Sequence, residues 1–207
     1  MSLAGARVVV SAGPTYEDLD PVRFIGNRSS GKMGFAIAAA AARRGAETVL
    51  VAGPVHLPTP PGVTRIDVRS AQQMHDAVLD ALPADVYIGA AAVADFTPRS
   101  VAADKIKKEA GRDTLVLELV RTPDILAAVA DTPRRPRVVV GFAAETTDVA
   151  RHARDKLQRK RVDLIAANRV GIAGSGFESD DNALTVYWND GERALGPAPK
   201  TALASVA

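Results

Sequence analysis

The sequence predicts an α/β protein with a Rossmann-like, three-layer fold and a largely parallel sheet. Three observations support this prediction. Short runs rich in Val and Ile recur along the chain, segments with helical periodicity fall between many of them, and a turn signal follows the last strand-like run. Strands that alternate with helices are typical of parallel sheets covered on both faces. An antiparallel C-terminal hairpin should extend this sheet.

The predicted strands are short and apolar, as expected where a strand is covered on both faces. In chain order they occupy residues 8–12, 48–52, 63–68, 86–92, 115–120, 138–143 and 163–167. The predicted helices occupy residues 32–44, 71–82, 123–130 and 148–161. Residues 182–188 alternate like a strand, and Asn189, Asp190 and Gly191 form a turn signal that leads into residues 192–195. Ligands should gather at the carboxyl ends of the parallel strands.

Three segments depart from this alternation within what we predict to be one domain, residues 1–207. Segments 13–30 and 95–113 are too long for tight connections, and such loops in a compact domain are commonly functional. We expect both at the active site. The third is the antiparallel tail, residues 171–207, which ends in the beginning of a helix without a stop signal. The chain is therefore expected to be part of a longer protein.

Composition excludes several classes of function. The chain has no cysteine and only three histidines, so it offers neither thiolate chemistry nor a zinc cluster. A net charge of +2 and an aromatic content of 4% give little support to nucleic-acid binding. No apolar run reaches membrane length and no targeting segment is visible. We therefore expect a cytoplasmic protein that binds neither nucleic acid nor membrane.

Residues 26–34, Gly-Asn-Arg-Ser-Ser-Gly-Lys-Met-Gly, form the most informative segment. Their spacing imitates a P-loop, but Met33 stands where a P-loop has the Ser or Thr that holds magnesium. The segment leads into an apolar helix whose first N–H groups and dipole favour an anion. From these residues alone, an anion site and an ordinary Gly/Ser turn at a helix start are equally good interpretations.

Other candidate positions also have two explanations. Asp95 follows a run of small residues and could hold Mg²⁺ on a triphosphate or cap a turn. The lysines of segment 105–108 could form a flexible cationic lid or a solvated loop. Phe142 could stack on a base or simply pack against its neighbours.

Two helices carry further signals. Lys156 and Lys160 lie four residues apart, so they share a helix face and could reach one anion. Thr122 is the candidate N-cap of a helix whose first residue is Pro123.

Several motifs, in order along the chain, resemble the phosphopantothenoylcysteine synthetases, the nucleotide-dependent ligases of coenzyme A biosynthesis. Together they cover nearly the whole chain and are far more specific than any one loop. The matching motifs are Ser-Ala-Gly-Pro-Thr (11–15), Leu-Asp-Pro-Val-Arg-Phe-Ile (19–25), Asn-Arg-Ser-Ser-Gly-Lys-Met-Gly (27–34), Ala-Ala-Val-Ala-Asp (91–95), Lys-Ile-Lys-Lys (105–108), Pro-Asp-Ile (123–125) and Gly-Phe-Ala-Ala-Glu-Thr (141–146).

The resemblance implies a two-step reaction. 4′-Phosphopantothenate attacks CTP to give an acyl-cytidylate and pyrophosphate, and the amine of L-cysteine then displaces CMP to form the amide. The bacterial type uses CTP with Mg²⁺, although the residues alone leave the choice between CTP and ATP open. It is a homodimer, to which we expect the tail to contribute. The family is often fused behind a flavin-dependent decarboxylase, so that half and its flavin are expected outside this chain.

The resemblance also implies the roles of individual residues. Asn27 handles the acyl-cytidylate and Lys105 serves the activation step, so both are expected to be catalytic. The expected phosphopantothenate-binding residues are Arg23, Asn27, Ala91 and Ala92, and Asp95 is the expected metal ligand. The expected nucleotide-binding residues are Gly13, Ser29, Gly31, Gly34, Asp95, Lys105, Pro123, Asp124, Ile125, Leu126, Phe142, Lys156 and Lys160.

Two other classes of function serve as alternatives. A dinucleotide-dependent oxidoreductase would place G-x-G-x-x-G directly after its first strand and an acidic residue at the end of its second. Here the second strand ends in Val51-Ala-Gly-Pro54. A non-catalytic nucleotide-binding module would bind nucleotide saturably without cysteine-dependent pyrophosphate release.

Overall fold

The computed structural model describes residues 2–108, 111, 113–169 and 180–206. The strands are β1 (Arg7–Ala12), β2 (Tyr16–Asp18), β3 (Phe24–Gly26), β4 (Glu47–Ala52), β5 (Val63–Asp67), β6 (Val86–Gly89), β7 (Phe96–Pro98), β8 (Leu119–Arg121), β9 (Val138–Glu145), β10 (Leu164–Arg169), β11 (Asp181–Trp188) and β12 (Gly191–Pro199). The helices are α1 (Lys32–Arg43), α2 (Ala71–Asp80), α3 (Ile125–Asp131), α4 (Val149–Lys160) and α5 (Lys200–Val206). The first part of the predicted tail, residues 171–179, lies outside the described residues.

One large sheet organises the described strands, in the order β12-β11-β10-β9-β6-β1-β4-β5. The strands from β10 to β5 run parallel, whereas β11 pairs antiparallel with both β10 and β12. Within it, Val8 of β1 lies beside Thr48 on β4 and Val86 on β6. The predicted α/β class, the largely parallel sheet and the C-terminal hairpin are thereby confirmed.

Helices cover both faces of this sheet. Successive side chains of a strand point to opposite faces, so Val8 and Val10 of β1 pack in one core with Ile37 of α1. Val9 packs in the other core, with Met74 of α2. Helices α3 and α4 share this second face, and α5 contacts α1 on the first. Each fully buried Val or Ile contributes roughly 1.5–3 kcal/mol, so the two cores hold the strand ends in fixed positions.

Two predicted strands were wrong in extent. β6 ends at Gly89 rather than at residue 92, because the Ala90 N–H is shared between Ser11 O of β1 at 3.0 Å and Ile88 O at 3.2 Å, a local turn in the chain. The run 115–120 contributes only β8, which pairs antiparallel with β7 outside the large sheet. Leu115 and Val116 are 51% and 81% exposed. An apolar run therefore does not by itself indicate burial.

Both long segments contain hairpins that the sequence analysis did not predict. β2 pairs antiparallel with β3, and the rings of Tyr16 and Phe24 stack with their centroids 3.9 Å apart. β7 pairs with β8, and β2 contacts β7. We call the two hairpins together the arm. Residues 102–108, which follow β7, contain three lysines, and we call them the lysine segment.

Candidate active site

A cleft opens where the carboxyl ends of β1, β6 and β9 meet the start of α1. It has two compartments that share Ala91, Val93, Asp95, Phe142 and Lys156. The first, here the α1 compartment, has a volume of about 380 Å³ and is lined by residues 27–34 and 90–93. The second, the α3 compartment, has a volume of about 590 Å³ and is lined by residues 121–126 and by α4. Its position agrees with the general rule for ligands of parallel sheets.

Glycines bring the start of α1 close to β1. Gly31 is the N-cap of α1 with φ 74°, a left-handed conformation that glycine adopts without strain, and no side chain caps the helix there. A Cβ on Gly34 would lie 2.4 Å from the Cβ of Ala12, so only glycine fits. Ser29 accepts a hydrogen bond from the Gly31 N–H at 3.3 Å. Backbone N–H groups at the helix start thus border the α1 compartment, as an anion site requires.

Gly13 holds one wall of the α1 compartment in place without lining it. Its φ is 81°, and its carbonyl accepts a hydrogen bond from the Ala92 N–H at 2.9 Å. Gly13 does not line either compartment. It instead fixes the backbone of residues 90–92, which do line the cleft.

Asn27 bridges two walls of the α1 compartment. Its Nδ2 donates to Ala92 O at 3.1 Å and to Val93 O at 3.0 Å, while the residue itself is exposed. Both donor hydrogens of the amide are therefore engaged, and its Oδ1 is left as the acceptor of the side chain. Asn27, Ala91 and Ala92 thus lie together, as the resemblance implies.

Asp95 lies at the boundary between the two compartments. It is exposed and lies directly before β7. The Thr122 N–H donates to Asp95 O at 3.1 Å, and Thr122 Oγ1 donates to Ala94 O at 2.6 Å. These bonds place the Asp95 backbone next to residues 123–126. Within the described ranges, three or more His, Asp or Glu side chains nowhere gather into a metal-binding group.

The prediction for the start of α3 was wrong by two residues. The N-cap is Asp124, whose Oδ1 accepts a hydrogen bond from the Ala127 N–H at 3.0 Å, and the helix begins at Ile125. Thr122 lies outside the helix, where its hydroxyl donates to Ala94 O. The second oxygen of Asp124 forms an ion pair with Lys160. Lys160 is therefore already partnered where it lines the α3 compartment.

Lys156 is the cation that both compartments share. Its ammonium donates to Phe142 O at 2.8 Å. Burial lowers the pKa of Lys156 because the charged form loses hydration, and the nearby carboxylates of Glu145 and Asp95 oppose this shift. Phe142 packs in the core on the α5 side of the sheet, beside Met33. A partly desolvated cation beside an open cleft is well suited to an anionic ligand.

Besides Gly13, two predicted site residues do not line the cleft. The Lys105 residue is exposed and lines neither compartment. Arg23 forms an ion pair with Asp20 and donates to Ile106 O at 2.7 Å, so it contacts the lysine segment. All other predicted residues except Gly13 line one or both compartments. These are Asn27, Ser29, Gly31, Gly34, Ala91, Ala92, Asp95, Pro123, Asp124, Ile125, Leu126, Phe142, Lys156 and Lys160.

Sequence reasoning missed two polar pairs of the α3 compartment. Ser11 and Tyr87 share a buried hydrogen bond of 3.0 Å, and burial raises the pKa of Tyr87 to about 12. Glu145 also lines this compartment and pairs with His152 at 3.1 Å. Ser11 and Glu145 belong to matched motifs at strand ends, and this position could have identified them as candidate site residues. Tyr87 lies inside an apolar run and offers no such signal.

Comparison with known proteins identifies similar chains along almost the full length. Residues 3–206 match the family model of the DNA/pantothenate metabolism flavoprotein C-terminal domain. The coenzyme A biosynthesis bifunctional protein CoaBC of Vibrio cholerae serotype O1 is 56% identical over 204 residues, which are 98% of this chain and 51% of that protein. The chain thus spans about half the length of the curated relatives it matches.

Two solved structures share the fold. A crystal structure of the C-terminal domain of CoaBC has a TM-score of 0.81 at 41% identity, covering 97% of this chain and 91% of that domain. The DNA/pantothenate metabolism flavoprotein from Streptococcus pneumoniae has a TM-score of 0.82 at 21% identity, covering 98% of this chain and 96% of the other. The Streptococcus structure supports the fold alone. Among the described helices, none is long and apolar enough to cross a membrane.

Proposed function

Because the chain belongs to the family of DNA/pantothenate metabolism flavoprotein C-terminal domains, we propose that it joins 4′-phosphopantothenate to L-cysteine at the expense of CTP. The family membership confirms the resemblance inferred from the motifs. One observation carries the proposal of function: five of the seven matched motifs, those that include residues 11, 27–34, 91–95, 123–125 and 142–145, contribute to a single cleft that offers an amide, a helix start and a half-buried lysine.

The proposed chemistry needs no nucleophile from the protein. A carboxylate oxygen of 4′-phosphopantothenate attacks the α-phosphorus of CTP, and pyrophosphate leaves. The amine of L-cysteine then attacks the acyl carbon of the acyl-cytidylate, CMP leaves with the bonding electrons, and the amine loses a proton. Catalysis then consists of positioning and of stabilising charge that develops on phosphate and acyl oxygens.

The residues of the cleft suit these two steps. The N–H groups at the start of α1 and the ammonium of Lys156 face the space where phosphate oxygens would gather negative charge. Asn27 is held by two backbone carbonyls, so its Oδ1 has a fixed direction from which to accept a hydrogen bond from the attacking amine. Fixed groups of this kind lose little free energy in reorganising during the reaction.

Magnesium is part of the proposal. Mg²⁺ is commonly bound by one or two carboxylates together with substrate phosphates, and Asp95 is an exposed carboxylate at the boundary of the compartments. The donor set therefore fits a metal that arrives with the nucleotide. When bound, Mg²⁺ neutralises charge on the triphosphate.

The choice of CTP rests on the α3 compartment. Its wall at residues 123–126 includes the start of a helix, where backbone groups can read the edge of a base. The resemblance of the motifs to the bacterial type of the synthetases also implies CTP. Lys105 belongs to the proposal as the cation of the activation step. It would have to move from its exposed position toward the triphosphate.

The remaining partners are also proposed. The relatives are named bifunctional and are about twice as long, so we infer that a flavin-dependent decarboxylase half accompanies this domain and carries the flavin. A cytoplasmic setting follows from the proposed substrates, since CTP and phosphopantothenate are intracellular metabolites.

A homodimer is proposed as well, with the arm as its contact surface. From the sequence the tail was expected to contribute to this contact, but the large exposed apolar side chains favour the arm. Large exposed apolar side chains that are concentrated in one part of a protein are typical of interfaces. In the arm and the residues between its strands, the large side chains that are at least 39% exposed are Val22, Phe24, Phe96, Val101, Leu115, Val116, Leu117 and Leu119.

Sedimentation tests the dimer. Val116→Asp should shift the wild-type dimer toward monomer, whereas Ile66→Asp, on edge strand β5, should leave the sedimentation coefficient unchanged. A wild-type monomer, or a dimer that survives Val116→Asp, would contradict the arm as the interface.

The proposed reaction is tested by pyrophosphate release. The protein is incubated with 4′-phosphopantothenate, Mg²⁺ and either CTP or ATP, with and without L-cysteine, while mass spectrometry follows CMP and the amide. We expect release with CTP, and CMP and amide only when cysteine is present. Saturable nucleotide binding without any release, in a folded sample, would point to a non-catalytic binding module instead.

A further inference from the structure

Asp20 is a buried carboxylate that the proposed mechanism does not use. It lies between β2 and β3 with a side chain that is 0% exposed. A buried charge is costly unless it is paired and hydrogen-bonded. Here the Arg23 guanidinium, hydrogen-bonded to Asp20, holds the pKa of that carboxyl well below its usual range, and backbone N–H groups add to the effect. Asp20 is therefore an anion at neutral pH.

The two oxygens of Asp20 have different partners. Oδ1 accepts from the backbone N–H groups of Val22 and Arg23, both at 2.8 Å, and so shapes the turn of the hairpin. Oδ2 accepts from Arg23 Nε at 3.0 Å, from Arg23 Nη2 at 2.6 Å and from the Ile106 N–H at 3.1 Å. The second oxygen thus reaches a residue 86 positions away.

Further bonds clamp the same stretch of backbone. Arg23 Nη2 donates to Ile106 O at 2.7 Å, so both peptide groups of Ile106 are held by the Asp20–Arg23 pair. The Ala102 N–H donates to Leu19 O at 3.0 Å. Ile106 lies between Lys105 and Lys107, which makes it the fixed point from which those lysines extend.

We propose that Asp20 is a positioning residue: it tethers the lysine segment through Ile106 and so sets the reach of Lys105 in the activation step. This inference rests on the proposed function. The side chain of Lys105 is exposed and, like lysine side chains in general, flexible. Its backbone is held in place, because the next residue, Ile106, is hydrogen-bonded to Asp20. A misplacement of about 1 Å in a reacting group can slow a reaction about 100-fold.

Asp20→Asn is a selective test because it separates the two oxygens. The Oδ1 of an asparagine can still accept from the two N–H groups of the turn. Its NH₂ group, however, replaces Oδ2 and cannot accept from Arg23 Nε, Arg23 Nη2 or the Ile106 N–H. The turn is preserved, whereas the Ile106 N–H loses its acceptor and Arg23 loses the ion-pair partner that orients it. Asp18→Asn is the matched control, since Asp18 lies on the same hairpin in an exposed ion pair with Arg69 that does not touch the lysine segment.

Limited trypsin digestion tests the tether without any assay of activity. Trypsin cuts after lysine, and the peptide bond between Lys105 and Ile106 contains the N–H that Asp20 holds. Cleavage requires local opening of that backbone. We expect cleavage after Lys105 to be at least tenfold faster in Asp20→Asn than in wild type or Asp18→Asn. Equal rates in all three proteins would overturn the tether.

The two half-reactions then test the role. Asp20→Asn should slow pyrophosphate release by about 100-fold, yet convert ready-made acyl-cytidylate and cysteine to the amide at the wild-type rate. A merely structural defect would slow both steps. The double variant Asp20→Asn/Lys105→Gln should release pyrophosphate no more slowly than Lys105→Gln alone, because Asp20 acts through Lys105.

Failure of this inference is distinguishable from failure of the proposed function. If wild type releases pyrophosphate and Asp20→Asn does so equally fast, Asp20 is not a positioning residue. Additive losses in the double variant would also overturn it. If wild type releases none, the proposed reaction is wrong, and the digestion still decides whether Asp20 holds the lysine segment.

Discussion

The cleft and the arm are built by opposite means. The cleft wall consists of strand ends and a helix start pressed so closely together that glycine is required, as at Gly34 against Ala12. The arm is two short hairpins with exposed apolar side chains, and its lysine segment is attached to the β2–β3 hairpin largely through Asp20 and Arg23. One region is fixed by packing and the other by a few hydrogen bonds.

This difference separates two kinds of task. Packing fixes atoms to within fractions of an ångström, which suits the groups that orient an acyl intermediate. A tethered segment can move over a short range, which suits a cation that must approach a triphosphate and then withdraw. Substitution of Asn27 should therefore disturb the amide step, substitution of the tightly packed glycines should disturb the fold, and substitutions in the lysine segment should disturb activation.

The largest effect is expected at Asn27. In Asn27→Asp, the amide donors to Ala92 O and Val93 O are replaced by a carboxylate that repels those carbonyls. We expect amide formation to slow by 10²–10³-fold, about 2.7–4 kcal/mol in the barrier. Quenched-flow analysis of acyl-cytidylate and amide measures this. Accumulated acyl-cytidylate is the expected signature, and normal amide formation would contradict the role of Asn27.

Lys156→Met should weaken nucleotide binding without lowering the stability of the fold. Loss of a charged hydrogen-bond donor should weaken CTP binding by about 1.5–3 kcal/mol, about ten- to a hundredfold, as measured by calorimetry. The fold should not suffer, because a partly desolvated charge is removed. Arg154→Met, on the exposed side of the same helix, is the control. Equal affinity in Lys156→Met and wild type would remove Lys156 from the site.

The same lysine predicts a pH dependence. Its pKa is lowered in the folded state, so the unfolded chain binds more protons between the folded pKa and the unfolded value of about 10.4. The free energy of unfolding contributed by Lys156 should therefore rise as pH increases through that window. Urea titrations of wild type at several alkaline pH values should show this rise, and it should be smaller in Lys156→Met.

Gly34→Ala tests whether packing fixes the cleft. Helix propensity alone would favour alanine by about 1 kcal/mol. The new Cβ would lie 2.4 Å from that of Ala12, however, so we expect a net loss of about 1–3 kcal/mol in urea unfolding. Adding Ala12→Gly removes the colliding atom and should recover part of the loss. A stabilised Gly34→Ala protein would show that the close approach is dispensable.

The smallest effect is expected where the arm carries an exposed charge pair. Asp18→Asn removes the partner of Arg69, and both side chains are at least 40% exposed. Solvent screening limits such a pair to about 0.2–1 kcal/mol. Thermal unfolding should therefore change little. A loss of several kcal/mol would mean that the arm, like the cleft, is fixed by tightly coupled contacts.

The sequence predicted the cleft much better than the arm, for a physical reason. Local sequence patterns predict the strands, the start of α1 and residues 91–95. In a parallel sheet the carboxyl ends of the strands then lie together at one edge. The hydrogen bond between Asp20 and Ile106 joins residues 86 positions apart, and no periodicity in the sequence predicts it. At α3, Pro123 suggested the first helical position, but Asp124 accepts the hydrogen bond from the Ala127 N–H and is the N-cap, so the helix begins at Ile125.

The assignment of the amide step to Asn27 and of the activation step to the lysine segment is tested most directly by measuring both half-reactions, in single turnover, for wild type, Asn27→Asp and Lys105→Gln. We predict a crossed pattern: Asn27→Asp forms acyl-cytidylate normally and fails to make the amide, whereas Lys105→Gln fails to release pyrophosphate but converts supplied acyl-cytidylate. If each variant slows both half-reactions by the same factor, the two regions do not serve separate steps and the account is wrong.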